Sequence, residues 1–185
     1  MGAFPQTLSI MSTPVQYGPN ADAETVIHAA TIRPDILEVG AQLKVEADGL
    51  ITTVGGQPIM DIRLRLGPVT LTGVILGQHH EGGTPAADVT WRLFTSNNQT
   101  NKNIHLDFTA TVQAGGISIW GNGFLLSDVS TQFQYGGLGC SSVAAQSFDP
   151  TITNLLELTM DFDDLAANIV KITNMKVTLE SYGGP

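Results

Sequence analysis

The chain has 185 residues, and a 42 % hydrophobic content supplies the apolar mass of one sizeable core but not the length of two ordinary domains. Only 14 % of its residues are charged while 20 are glycine, a composition poor in helix-favouring surface residues and pointing to an all-β fold. The formal net charge of -9 repels phosphate backbones and anionic lipid, which disfavours nucleic acid and membrane as partners.

In chain order, residues 1–24 come first as a separate segment, because Pro5, Pro14 and Pro19 with Gly18 and Asn20 interrupt any regular pattern. An extended N-terminal arm is expected there, lying on its own domain or on a neighbour, ahead of a single domain over 25–185. With neither a basic residue nor a continuous apolar run in positions 1–20, no signal or transit peptide is expected, and no stretch has the length of a membrane span. Cys140 stands alone, so an internal disulfide is excluded and a reducing folding compartment fits.

From Thr25 onward apolar and polar residues alternate with period two, the mark of half-buried strands. The runs are 26–32, 43–48, 60–66, 69–76, 89–95, 104–113, 117–126, 155–162 and 170–181, nine strands in all. A slip of phase between Ile172 and Met175 predicts a bulge near Thr173 and Asn174. Gly55 and Gly56 predict a hairpin turn joining the second and third runs. Its register would set Glu46 against Arg65 and Asp48 against Arg63 outside, and Ala47 against Leu64 and Val45 against Leu66 inside. One short helical turn is expected within 164–170, and 136–150 reads as a long loop. Short strands with regular turn signals describe an antiparallel β-sandwich of jelly-roll type.

The side chains that could carry chemistry are few. His79, His80 and Glu81 form the most metal-like group, but neighbours in a strand point to opposite faces, and the glycines that follow favour a solvated loop. Asp161, Asp163 and Asp164 are calcium candidates at a strand exit, without the spacing or the glycine of an EF-hand loop. No serine or cysteine occupies a nucleophile motif, and the glycine pairs lack the helix and lysine of a phosphate loop, so neither enzyme nor cofactor is expected. Trp91, Trp120, Phe94, Phe133 and Tyr135 could stack on sugars, although Trp91 and Trp120 fall in strand runs, where aromatics more often fill the core.

The order of segments is informative in itself. Residues 31–40, 43–49 and 62–67, then Trp91, Arg92 and Leu93 with 104–115, and finally 156–159 with 177–180, resemble the jelly-roll structural proteins of tailed-phage virions. That class includes capsid decoration or cement proteins and the knobs of head or tail fibres. The resemblance covers roughly residues 25–181 and implies a non-enzymatic subunit, made in the host cytoplasm, on the outer surface of a phage head. It further implies a homotrimer with the major capsid protein or other virion proteins as partners. An arm of this kind would tie subunits together, with Phe4, Pro5, Met11, Pro14, Tyr17 and Pro19 as its contact residues. A glycan- or receptor-binding knob is the alternative, with Phe133, Tyr135 and the 136–150 loop at its tip.

Overall fold

Wherever polar and apolar residues alternate steadily along this chain, the backbone is extended and paired. The computed structural model describes residues 5–19, 23–54, 59–76, 91–94, 99–127, 136–139, 146–162 and 167–180. Their strands are β1 (Gln6–Ile10), β2 (Val15–Tyr17), β3 (Thr25–Ile32), β4 (Gln42–Thr52), β5 (Ile59–Gly67), β6 (Val74–Ile75) and β7 (Trp91–Phe94). Then follow β8 (Lys102–Val112), β9 (Ser118–Ser127), β10 (Gly136–Gly139), β11 (Gln146–Ser147), β12 (Asn154–Phe162) and β13 (Ile169–Glu180). The described residues contain no helix, and so none long and apolar enough to cross a membrane.

These strands form two antiparallel sheets. The larger runs β1-β13-β4-β8-β9-β10, with β2 also on β13 and β11 also on β9; the smaller runs β3-β12-β5-β6, with β7 also on β5. The chain changes sheet between β2 and β3, β3 and β4, β4 and β5, β7 and β8, β11 and β12, and β12 and β13. Consecutive strands therefore change sheet more often than they pair, and the fold is the expected antiparallel β-sandwich.

One face of each sheet is buried. From the larger come Leu43, Val45, Ala47 and Ile51 of β4 and Ile104, Leu106, Phe108, Ala110 and Val112 of β8; from the smaller, Ile62, Leu64 and Leu66 of β5 and Leu156, Leu158 and Met160 of β12. Burying each large aliphatic side chain contributes roughly 1.5–3 kcal/mol. Ala47, Ile104, Leu106 and Ile172 meet Ile62, Leu158 and Met160 around a void of only about 10 Å³, so the facing layers interdigitate. The expected bulge is present, as a register shift between Ile172 and Asn174 in the β13–β4 ladder.

The hairpin register does not form. β4 pairs with β13 and β8, whereas β5 pairs with β12, β6 and β7 in the other sheet. Glu46 lies opposite Asp107 and Lys176, Asp48 opposite His105 and Asn174, Arg63 opposite Thr159, and Arg65 opposite Glu157. The apolar faces of β4 and β5 need each other more than their edges do: stacked across the core they bury both stripes. Gly55 and Gly56 lie outside the described residues. The 69–76 run is likewise shorter than expected, with only Val74 and Ile75 pairing. Ahead of them the chain doubles back so closely that a Cβ on Gly67 would stand 2.6 Å from the Gly73 Cα, and Leu71 takes a φ of 61°. The Glu157 carboxylate holds this turn by accepting from the Leu71 amide at 2.9 Å. In the expected long loop, 136–139 and 146–147 are strand.

The N-terminal segment lies on its own domain. β1 and β2 occupy successive stretches of the β13 edge. Met11 and Tyr17 are buried in the core cluster, and the Tyr17 hydroxyl donates to the Ala23 carbonyl at 2.7 Å. Pro5, Pro14 and Pro19 are exposed, and Phe4 lies outside the described residues.

Candidate functional site

Along β9, alternation assigns Ile119, Gly121 and Gly123 to the core side and Trp120, Asn122 and Phe124 to the outer face of the larger sheet. Trp120 is 38 % exposed and Phe124 39 %, so two aromatic rings stand on one face of the sheet. Trp120 is therefore no core residue, contrary to the expectation for an aromatic in a strand run. Phe108 explains why: its side chain, one of the largest fully buried, fills the space beneath β9. A Cβ on Gly121 would come within 2.3 Å of the Phe108 ring, and one on Gly123 within 2.3 Å of the Asp107 carbonyl oxygen. Glycine at those inner positions leaves β9 room to lie against Phe108 and carry its bulk outward.

The strands on either side complete the surface. In the β8–β9 ladder Thr111 faces Trp120, Thr109 faces Asn122, Asp107 faces Phe124 and His105 faces Leu126, giving a polar row beside the aromatic one. On the other flank Gly137 pairs with Phe124 and Gly139 with Asn122, and neither has a side chain to crowd the rings. His105 is fixed by its Nδ1 contact with an Asp48 carboxylate oxygen at 2.7 Å, and its ring centre lies 6.1 Å from that of Phe124. Lys44 Nζ donates to Glu46 at 2.9 Å, and this bond, opposed by partial burial and aided by nearby carboxylates, raises the lysine above its ordinary pKa. Asp48 and Glu46 are thus engaged, whereas Asp107 makes no hydrogen bond or ion pair among the described residues. The arrangement offers stacking surface, two hydroxyls, an amide and a carboxylate in one plane, which is the donor and acceptor set a polyhydroxylated ligand needs.

No protein-family model and no curated protein sequence matches the chain. Among solved structures it is similar to the CBM2 module of the evolved Dit of Lactobacillus casei BL23 phage J-1, with 8 % identity, a TM-score of 0.37 and 98 % of each chain covered. It is similar also to the carbohydrate esterase vb_24B_21 of Shiga toxin-encoding bacteriophage phi24B, at 13 % identity and a TM-score of 0.34, covering 96 % of this chain and 100 % of that one. A third is infectious bursal disease virus, Gx strain, at 12 % identity and a TM-score of 0.26, covering 98 % of this chain and 43 % of that one.

Of the residues singled out from sequence, Phe133, Tyr135, Asp163, Asp164, His79, His80, Glu81 and Cys140 lie outside the described residues. Asp161 is on the outer side of β12, where a carboxylate oxygen lies 3.6 Å from an Arg63 guanidinium nitrogen, so a cation already stands beside it. No group of three or more metal-ligating side chains occurs among the described residues. The 136–150 segment adds Ser147, Phe148 and Asp149 to a cleft of about 350 Å³ whose apolar walls include Leu66, Val74 and Ile152. Asp149 there is occupied by the Thr151 amide and hydroxyl, which hold its carboxyl below the usual range.

Two further polar contacts tie elements together. The Ser9 hydroxyl meets His28 Nε2 at 2.7 Å, joining β1 of the larger sheet to β3 of the smaller. No carboxylate contacts the other imidazole nitrogen among the described residues, so the third member of a hydrolytic triad is missing from this pair. Glu24, just before β3, receives both Arg65 Nε and an Arg65 terminal nitrogen at 2.7 Å, with Arg63 at 3.3 Å and the Thr159 hydroxyl also in contact. Burial alone would raise the Glu24 carboxyl, but these hydrogen bonds and the charges of Arg63 and Arg65 outweigh it and hold the pKa below 4.5.

Proposed function

We propose that the chain is a non-enzymatic structural protein of a tailed-phage virion, displayed on the particle surface, whose Trp120–Phe124 face binds carbohydrate. The carrying observation is the exposure of both rings on one strand face, with the Asn122 amide between them and threonine hydroxyls and a carboxylate in the adjoining row. Large aromatics dominate contact energy, and a soluble subunit keeps two of them on a sheet face at a cost in solubility, which a ligand offsets. The virion setting follows from the resemblance of segment order over roughly residues 25–181. With it come a homotrimer and contact with the major capsid protein, for which Pro5, Pro14 and Pro19 are the exposed ones among the expected contact residues of the N-terminal segment. Met11 and Tyr17 serve the sandwich instead, so attachment through a freely reaching arm has no support from the structure.

Two measurements on infectious particles test this reading. Antibody to the chain, visualised with immunogold, should decorate the outside of intact virions, and excess free protein should slow adsorption to host cells. Unlabelled particles together with unchanged adsorption would contradict it.

A further inference from the structure

We infer that the aromatic face selects extended, neutral polysaccharide over acidic polysaccharide, and that Asp107 is its specificity-determining residue; this rests on the carbohydrate-binding reading above. Trp120 and Phe124 are four residues apart on one strand, a span of roughly 13–14 Å at the usual rise per residue. A ligand touching both rings must run along β9 and be longer than one sugar ring. Thr111, Thr109 and Asp107 follow the same line on β8, one strand spacing of roughly 4.8 Å to the side. The threonine hydroxyls both donate and accept, but an ionised carboxylate only accepts, so at the Phe124 end the ligand must supply donors. Sugar hydroxyls do, in neutral and acidic polymers alike, so what sets a uronic acid polymer apart is the charge of its carboxylates.

Charge makes the choice. Behind Asp107 lies Glu46, directly opposite it in the β4–β8 ladder, and then Asp48 one pair further along that face. Lys44 donates to Glu46 and His105 contacts Asp48, so Asp107, which feels the Lys44 charge only at longer range, is the carboxylate beside the rings that makes no hydrogen bond among the described residues. An acidic polymer would meet this group on a protein of net charge -9. Gly137 and Gly139 face Phe124 and Asn122 on the opposite flank, so among the described residues the polar side chains beside the rings come from β8.

Affinity electrophoresis of the full-length chain tests this, using gels that contain hydroxyethyl cellulose, mannan, galactan or, as the acidic probe, polygalacturonate. The wild type should be retarded by at least one neutral polymer and not by polygalacturonate. Asp107→Asn should weaken retardation by the neutral polymer about tenfold and narrow the discrimination against polygalacturonate, whereas Trp120→Ala should abolish retardation. Thermal melts matching the wild type separate lost contact from lost fold. If Trp120→Ala abolishes binding while Asp107→Asn behaves as wild type, the selectivity inference fails and the binding face stands. Stronger retardation by polygalacturonate than by every neutral polymer also overturns the inference. If no polymer retards the wild type, or Trp120→Ala binds normally, the carbohydrate reading itself fails.

Discussion

Glu24 and Arg65 are joined by two hydrogen bonds of 2.7 Å, one to each carboxylate oxygen, and that fork fastens the segment entering β3 to the middle of β5. The two elements are not neighbours in the smaller sheet, because β12 lies between them, and its Thr159 hydroxyl contacts the same carboxylate. Arg63 adds to the grip at 3.3 Å, its side chain 9 % exposed against 19 % for Glu24.

Removing the carboxylate takes from Arg63 and Arg65, 9 % and 14 % exposed, the anion they share, while Asp161 stays 3.6 Å from Arg63. Glu24→Ala is expected to cost about 2 kcal/mol, less than a fully buried pair because the site is partly solvated, lowering Tm by ~4–8 °C in a chain of this size. The folded carboxyl sits below 4.5, so its contribution is complete above that pH and is lost as pH falls through the folded pKa. Denaturant melts at neutral and acid pH should show Glu24→Gln converging on the wild type in acid; a constant gap would contradict the linkage.

His28 shifts stability in the same direction with pH, through burial of a neutral ring rather than through a paired charge. Burial pushes its imidazole below 6.5, so the folded state prefers the neutral ring that faces Ser9. The unfolded chain binds its proton near 6.5; stability is unaffected above that pH and declines as pH falls from there through the lowered folded pKa. Between about pH 7 and about pH 5.5, Tm should fall by less in His28→Gln than in the wild type. An equal fall in both would assign the loss to other groups.

Gly121 and Gly123 make a sharper packing prediction. At Gly123 a Cβ would stand 2.3 Å from the Asp107 carbonyl oxygen and 2.6 Å from the Phe108 Cα, so backbone must move. At Gly121 the nearest atom is the tip of the Phe108 ring, also at 2.3 Å. Both alanine variants should lose stability by about 2–3 kcal/mol or more. Phe108→Leu should recover part of the loss in Gly121→Ala and none in Gly123→Ala. A double-mutant cycle reads the coupling directly.

Much of the fold was legible because period-two alternation depends only on one buried face, and β3, β4, β5, β8, β9, β12 and β13 all have one. Even the β13 bulge showed as a slip of phase at Thr173 and Asn174. Partner choice was not legible. Opposite charges at Glu46 and Arg65 are equally well satisfied by Lys44 and Glu24, which lie elsewhere in the structure. Local pairing rules had no way to weigh those alternatives against stacking two apolar faces. The aromatic face of β9 was not read from the sequence, where Trp120 was expected in the core, although glycines alternating with Ile119 mark the inner side of that strand. The need for those glycines, however, comes from Phe108 on a different strand.

The most direct test of the account is binding of fluorescently labelled protein to host cells, comparing the wild type with the Trp120→Ala/Phe124→Ala variant at matched thermal stability. The wild type should bind, be displaced by polysaccharide extracted from the host envelope, and lose at least about tenfold in affinity when both rings are removed. Undiminished binding by the doubly substituted protein would show that the aromatic face of β9 is not the surface through which the protein meets such a ligand.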